Sequence, residues 1–353
     1  MTKIDCNKEM NGYHASEVNL PISDQGEMRN RRDNGRTRLK NGLTKAGYPL
    51  PAEFSSQGSY AMRTMVQDDQ CDYDIDDGVY FEKENLKSDD GSYLGARDSR
   101  TRVRAALKDE RLAYDAESKT NCVRQKYPEG YHIDIPVYRI NRSTDIFENE
   151  SIEYELASGE EWVKSDARAV TRWYNDSIGQ ELKTGENDVS QTRRVTKLTK
   201  KMSRSRIAWK RQTTSGICLS KLVVDCIVVV TGRDDDALRD SWKKIKAQLD
   251  ITLQIPHPVL QGKQLAKPDD DGVSFFRDCL ADTLKKLEVL DEQECTREKA
   301  LKAWSSVFNT NYFTNQLSEN QATNKSLLQP AAVAIGLTFP DEPIIPNKPS
   351  GFA

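Results

Sequence analysis

Apolar residues in this chain follow two different periods. Around Asp74 and again from Tyr131 to Tyr138 polar and apolar positions alternate, the two-residue period of a strand with one covered face. In the first of these stretches Asp72, Asp74 and Asp76 share a face, with Tyr73 and Ile75 opposite, and Val79, Tyr80 and Phe81 continue the strand. In the second, YHIDIPVY, Ile133, Ile135 and Val137 share one face and Asp134 is the lone carboxylate of the other. Between them Val103, Ala106 and Leu107 recur at helical spacing within Ser99 to Leu112, and Cys122 to Gln125 form a further strand candidate. Strands interrupted by a helix, with acids on neighbouring strands, predict an α+β palm.

From Ser165 the period becomes helical. Asp166 can cap a helix carrying Ala169, Val170 and Trp173. In TRRVTKLTKKMSRSR, Val195, Leu198 and Met202 form an apolar face, while Arg193, Lys197, Lys200 and Arg204 form a basic stripe that spacing alone leaves open between a solvated face and a functional one. After a loop over HPVLQGKQLAKPDDDG come two amphipathic helices. One carries Phe276, Leu280, Leu284 and Leu287; the other begins at a box-like Asp291 and Glu294 and runs through Leu301, Trp304 and Phe308. Ahead of the palm, residues 20 to 47 predict an arginine-rich helix capped at Ser23 or Asp24, ended by Gly47 and bridging two lobes. This divides the chain into an N-terminal helical segment (1–50), a palm (51–165), a helical lobe (166–325) and a proline-bearing extended tail (326–353).

Composition narrows the class. Of 353 residues 37% are hydrophobic and 30% charged, with net charge -3, so bulk charge does not suit the protein to coating nucleic acid. No apolar run reaches the roughly 20 residues of a membrane helix, and MTKIDCNKEM lacks a signal-peptide core. A cytosolic protein with no membrane partner is expected. Seven scattered cysteines without a Cys-x-x-Cys pair indicate neither a disulfide framework nor a zinc ribbon.

Three carboxylates in a row repel one another and call for a cation. Mg²⁺ fits, taking one or two carboxylates and completing its shell with water and phosphate oxygens. The EF-hand alternative fails, because counting from Asp72 the sixth residue is Asp77 and the twelfth Lys83. Gly58 and Ser59, ahead of the acids, suit a phosphate: the glycine lets backbone approach and the hydroxyl can donate. If the two strands are neighbours, Asp134 joins Asp74 and Asp76 to hold two metal ions about 3.5 to 4 Å apart. His132 shares the Asp134 face, but without a second histidine at ligand spacing it reads as a structural or substrate-side residue.

The Gly-Ser turn, Asp-Ile-Asp-Asp-Gly and His-Ile-Asp-Ile-Pro-Val-Tyr, in this order, resemble the bacterial cGAS/DncV-like nucleotidyltransferases, relatives of animal cyclic GMP-AMP synthase and oligoadenylate synthase. The resemblance implies a bilobal fold with a polymerase-beta-like palm on a mixed sheet and a C-terminal helical lobe. It places the catalytic and metal-binding acids on Asp74, Asp76 and Asp134, and nucleotide contacts on Gln57, Gly58, Ser59, Lys200 and Ser215. It also implies two Mg²⁺ ions, with Mn²⁺ as a substitute, and resolves SGICLSKLVVDCIVVVTG, a strand by propensity, as a helix over 217–229. The implied activity is template-independent joining of ATP and a second nucleoside triphosphate into a cyclic di- or trinucleotide that activates an effector in antiviral defence. Transfer of AMP to an RNA, a protein or a small molecule uses the same acids, and an inactive nucleotide-binding scaffold is the non-enzymatic alternative. The missing zinc motif departs from the animal synthase and speaks against DNA sensing of that type. Some relatives are joined through their C-terminal carboxylate to other molecules by a ubiquitin-transfer-like enzyme, which would make Ala353 a conjugation point.

Overall fold

A computed structural model describes residues 4–68, 73–144, 149–179 and 190–317. The chain begins with helix α1 (Asn7–Tyr13), extended by a π-helical turn (His14–Val18), and then a long helix α2 (Ile22–Lys45). Strand β1 (Glu53–Gln57) leads into the single turn α3 (Gly58–Ala61). After it come β2 (Asp74–Glu82), α4 (Ala96–Ala106), β3 (Glu117–Ser118), β4 (Val123–Lys126), β5 (His132–Ile135), β6 (Val137–Thr144), β7 (Glu150–Ser158) and β8 (Glu161–Lys164). The remainder is helical apart from one small hairpin: α5 (Ala167–Ser177), α6 (Gln191–Ser203), α7 (Ile207–Gln212), α8 (Gly216–Cys226), α9 (Asp234–Ile251), β9 (Ile255–Pro256), β10 (Gln264–Ala266), α10 (Asp271–Lys286) and α11 (Arg297–Phe308).

The eight-stranded sheet is mixed. Central β2 pairs antiparallel with β1 and parallel with both β5 and β6, whereas the outer pairings β3–β4, β4–β5, β6–β7 and β7–β8 are antiparallel. The β2 register is the same on both sides of Pro136, so β5 and β6 are one strand interrupted at that residue. Proline cannot donate to the ladder, but its carbonyl still accepts from Val79 N–H at 2.9 Å, which keeps the pairing continuous.

One hydrophobic cluster lies between this sheet and helices α2 and α4, centred on Ile75, Val79, Phe81, Ile133, Val137, Leu39 and Val103. The stripe Met28, Gly35, Leu39 and Leu43 explains how an otherwise polar helix packs there. Gly42 fixes the approach, since a Cβ on it would meet the Ala106 carbonyl oxygen at 2.0 Å. A second cluster joins α6, α8, α9, α10 and α11 around Trp242, Trp304, Phe276 and Leu198, and α1 inserts Met10 and Tyr13 into it. The N-terminal residues thus contribute to both clusters, and each fully buried Leu or Phe stabilises by about 1.5–3 kcal/mol.

Several boundaries differ from those expected. α2 starts at Ile22 after Pro21, and the Ser23 hydroxyl donates to Asp24 rather than capping the helix. Gly47, with φ +74°, follows the helix end as expected of a terminating glycine. α4 begins at Ala96 and stops at Ala106, short of Leu112. α8 ends at Cys226 rather than Val229, because Val228 N–H leaves the helical ladder for the Ser241 hydroxyl. The last amphipathic helix starts at Arg297 under a Thr296 cap; Asp291, expected at its start, instead pairs with Arg239 from a 3₁₀ turn. The loop after His257 contains the β10 half of the hairpin. The proposed tail and Ala353 lie outside the described residues. No helix among the described residues is long and apolar enough to cross a membrane.

Candidate active site

Register builds the site. On the parallel pair β2–β5, Asp74 lies opposite His132 and Asp76 opposite Asp134; on the other edge of β2, Gln57 lies opposite Asp76. Alternation along each strand puts the four acid and imidazole side chains on one face. Asp77, one residue out of phase, points to the other face, where Arg36 of α2 grips both its oxygens at 2.7 and 2.5 Å and Ser56 donates at 3.0 Å. Asp77 therefore anchors α2. Asp72 lies outside the described residues.

The carboxyls of Asp74 and Asp76 are both pushed above the usual carboxylate range, first by burial and then by neighbouring acids: Asp134 for Asp74, and Asp74 with Asp134 for Asp76. Asp134 is buried in a bidentate ion pair with Arg124, which lies opposite it on β4, at 2.7 and 2.8 Å. His132 Nε2 stands 4.0 Å from Asp74 and 3.9 Å from Asp134, and one ligand atom from each of these three residues falls within 4.8 Å of the other two. Burial with too little counter-charge is the condition that a divalent cation relieves, so this mainly carboxylate donor set fits a hard metal ion.

The Gly-Ser turn meets the acids directly. Gly58 has φ +64°, and a Cβ there would come within 2.1 Å of Asp76 Oδ2, so both the conformation and the space demand glycine. Gln57 reaches the same cleft, but its amide is held within the sheet, donating to Tyr138 at 3.0 Å and accepting from Tyr80 at 3.4 Å. Its side chain braces the turn.

Across from the acids, the basic stripe of α6 is not a solvated face. Lys200 is buried and donates to the Thr64 hydroxyl at 2.8 Å and the Thr64 carbonyl at 3.3 Å. Burial, then Arg204 and Lys197, lowers its amine from 10.5 to about 7. Arg193 donates to the Met62 carbonyl, Lys197 to Asn19 and Lys201 to the Gln67 carbonyl, tying α6 to the segment after the Gly-Ser turn and to the N-terminus. Ser215 caps α8, its hydroxyl accepting from Cys218 N–H at 3.4 Å.

Gln57, Gly58, Ser59, Asp74, Asp76, Lys200 and Ser215 line one cleft of about 420 Å³, in the size range of a small-molecule site. Asp134 of β5, beside Asp76, is buried and is not among the residues that line this cleft. The structure adds Thr64, Arg204 and His257 to the cleft wall, and Arg124 behind Asp134. His257 Nδ1 accepts N–H groups of Val259 and Leu260, which leaves its proton on Nε2. Of these, Arg204 belongs to the basic stripe legible in the sequence and Arg124 is a basic residue on the strand candidate nearest YHIDIPVY; Thr64 and His257 depend on loop paths.

Comparison with known proteins agrees with this geometry. Residues 52–138 match the family described as the nucleotidyltransferase domain of DncV-like cyclic GMP-AMP synthase. A cyclic AMP-AMP-AMP synthase from an Acinetobacter species is 26% identical over 211 residues, covering 55% of this chain and 57% of that protein. A cyclic GMP-AMP synthase from Escherichia albertii is 25% identical over 245 residues, covering 64% of this chain and 48% of that protein. The matched region thus spans about half the length of each of these relatives. The crystal structure of Vibrio cholerae DncV cyclic AMP-GMP synthase, in complex with the linear intermediate pppA(3′,5′)pG, superposes with a TM-score of 0.66 at 18% identity, over 87% of this chain and 96% of that one. Residues 52–138 thus match a DncV-like nucleotidyltransferase domain, the described residues share the fold of the DncV structure, and both likenesses support the resemblance to the bacterial cGAS/DncV-like nucleotidyltransferases.

Proposed function

We propose that this protein joins nucleoside triphosphates, ATP and a second nucleotide, into a cyclic di- or trinucleotide with release of pyrophosphate, as a signal in bacterial antiphage defence. The observation that carries the reading is the juxtaposition of two half-buried acids, Asp74 and Asp76, with the glycine turn at Gly58 on one side of a cleft and a buried lysine, Lys200, on the other. A site that confronts clustered carboxylates with a cationic wall suits a metal-bound polyphosphate.

In this reading Asp74, Asp76 and Asp134 would hold the divalent metal, two Mg²⁺ or Mn²⁺ ions, which would supply charge stabilisation at the α-phosphate and the leaving pyrophosphate. Gly58 and Ser59 receive the phosphate chain at the end of β1, and Lys200 meets it from α6. A ribose hydroxyl oxygen forms the new bond to the α-phosphorus as the α–β bridging bond breaks, and Asp134 accepts the hydroxyl proton. Arg124 holds both Asp134 oxygens, fixing that carboxylate; a carboxylate offers about four lone-pair positions, so the pairing leaves room for a proton or a ligand. The cyclase names of the relatives favour cyclisation over AMP transfer to another acceptor.

The test is mass spectrometry of products formed from all four nucleoside triphosphates with Mg²⁺. A cyclic oligonucleotide that disappears in Asp74→Asn/Asp76→Asn supports the reading; a linear or protein-linked AMP product, or synthesis that survives the double substitution, refutes it.

A further inference from the structure

Lys200 is not the only cation at the cleft. Arg204, the residue that ends α6, lines the same wall, and its guanidinium makes no hydrogen bond or ion pair with any described residue. Most other basic side chains of that helix are spoken for, Arg193 by Met62 and Asn175, Arg194 by Asp234 and Lys201 by Gln67. The position of the free guanidinium is specific. A Cβ built on Gly216 would lie 3.6 Å from Lys200 Nζ and 4.0 Å from Arg204 Nη2, so the two cationic heads converge over the same bare backbone. Gly216 opens the 11-residue helix α8, whose first-turn N–H groups lack intrahelical partners and carry the positive end of the helix dipole. Only Cys218 N–H of that turn receives the Ser215 cap.

We propose that Arg204 and Lys200 form a two-cation clamp across Gly216 for the terminal phosphates of the donor nucleotide, with Arg204 gripping the outer phosphate directly. The inference rests on reading the cleft as a nucleoside triphosphate site. It divides the work between the two residues. The Arg204 fork can bind two phosphate oxygens in parallel and is always charged, whereas Lys200 is a point donor already holding Thr64. Glycine at 216 leaves the space between the heads open to the anion. The bland competitor is that Arg204 only complements the negative end of the α6 dipole; that role would affect folding stability and leave ligand discrimination untouched.

Titration calorimetry in Mg²⁺ buffer separates the two, using inorganic tripolyphosphate, α,β-methylene-ATP (which does not release pyrophosphate) and AMP. With Arg204→Gln, the clamp predicts at least about tenfold weaker binding of tripolyphosphate and of α,β-methylene-ATP, with AMP changed less than about twofold. Arg204→Lys, which keeps the charge and removes the fork, should fall between Gln and wild type, and serves alone if the Gln variant does not fold. Equal losses for AMP and the triphosphate, or tripolyphosphate binding that neither substitution weakens, would overturn the clamp. Because tripolyphosphate binding requires no transfer chemistry, an Arg204-dependent affinity in a protein that makes no cyclic product would sink the synthase reading and leave the clamp standing.

Discussion

Replacing Lys200 with Met should stabilise the free protein while weakening the donor site, and the stabilisation should depend on pH in a defined way. Lys200 is 3% exposed, and its amine is lowered from 10.5 to about 7 by burial first and then by Arg204 and Lys197, with Asp74 opposing. The unfolded chain therefore binds more protons between pH 7 and 10.5, so wild-type stability rises with pH across that window. Below 7 the cost of burying the charge is complete, and above 10.5 it vanishes. At about 1.4 kcal/mol per tenfold change in proton affinity the full cost is on the order of 5 kcal/mol, and it falls by about 2 kcal/mol between pH 7 and 9. Methionine carries no such cost but forfeits two hydrogen bonds to Thr64, worth about 0.5–1.5 kcal/mol each, so the net gain at pH 7 should be about 1–3 kcal/mol. Urea unfolding of both proteins at pH 7, 8 and 9 reads the difference. Its slope with pH is the decisive quantity, since packing changes around methionine would shift all three points together. A difference that stays constant over this range would refute the claim that a titrating amine strains the native state. In the same variant KM for the donor triphosphate should rise by a larger factor than kcat falls; an unchanged KM would remove Lys200 from the donor site.

Three further outcomes follow from neighbouring geometry. Asp74→Asn/Asp76→Asn should abolish synthesis and raise metal-free stability: both carboxyls are elevated, so their favourable protonation is complete below the unfolded value of 3.8 and is lost as pH rises through the folded values. Thermal melts in chelator at pH 7 should therefore show an increased Tm, and a decrease would contradict the repulsion argument. Gly58→Ala should cost about 1–2 kcal/mol from the left-handed φ alone, plus activity lost to the 2.1 Å clash with Asp76; retention of full activity would show that the turn can move away. His14, lowered from 6.5 to about 3 by burial and by Lys197 and Arg194, is held neutral, so stability is lost as pH falls below 6.5, by about 2 kcal/mol at pH 5. His14→Gln should flatten that part of the wild-type stability curve measured by urea unfolding, and an unaltered slope would assign the acid sensitivity elsewhere.

Strand alternation made the acidic face legible, because a period of two fixes which side chains are neighbours without any knowledge of the third dimension. Asp74, Asp76 and Asp134 needed only one further assumption, that their strands are adjacent, and the parallel register supplies it. Helix ends were less legible. Asp291 and Glu294 have the composition of a capping box, yet Asp291 gains more from the buried Arg239, a partner 52 residues away, and the cap passes to Thr296. The hairpin of β9 and β10 is two and three residues long, too short for alternation to register.

The basic stripe of α6 shows where spacing stops being informative. Arg193, Lys197, Lys200 and Arg204 fall on one side of the helix whether that side meets water, other segments of the chain or a ligand, so periodicity ranks these outcomes equally. The choice is made by what the rest of the chain brings opposite: Asn19 from the N-terminal segment for Lys197, Met62 for Arg193 and Thr64 for Lys200, and for Arg204 no partner among the described residues. Two cations brought together over a glycine are costly in an empty cleft, and folding alone gives no reason to assemble them. A polyanion removes that cost by pairing with both heads. The same reasoning applies on the opposite wall, where Asp134 raises Asp74, and Asp74 with Asp134 raises Asp76, a cost that a divalent cation would relieve. If the cleft takes the proposed donor, a metal-bound triphosphate would carry both counter-charges in one molecule, facing the acids of β2 with its cation and the cations beside α8 with its terminal phosphates.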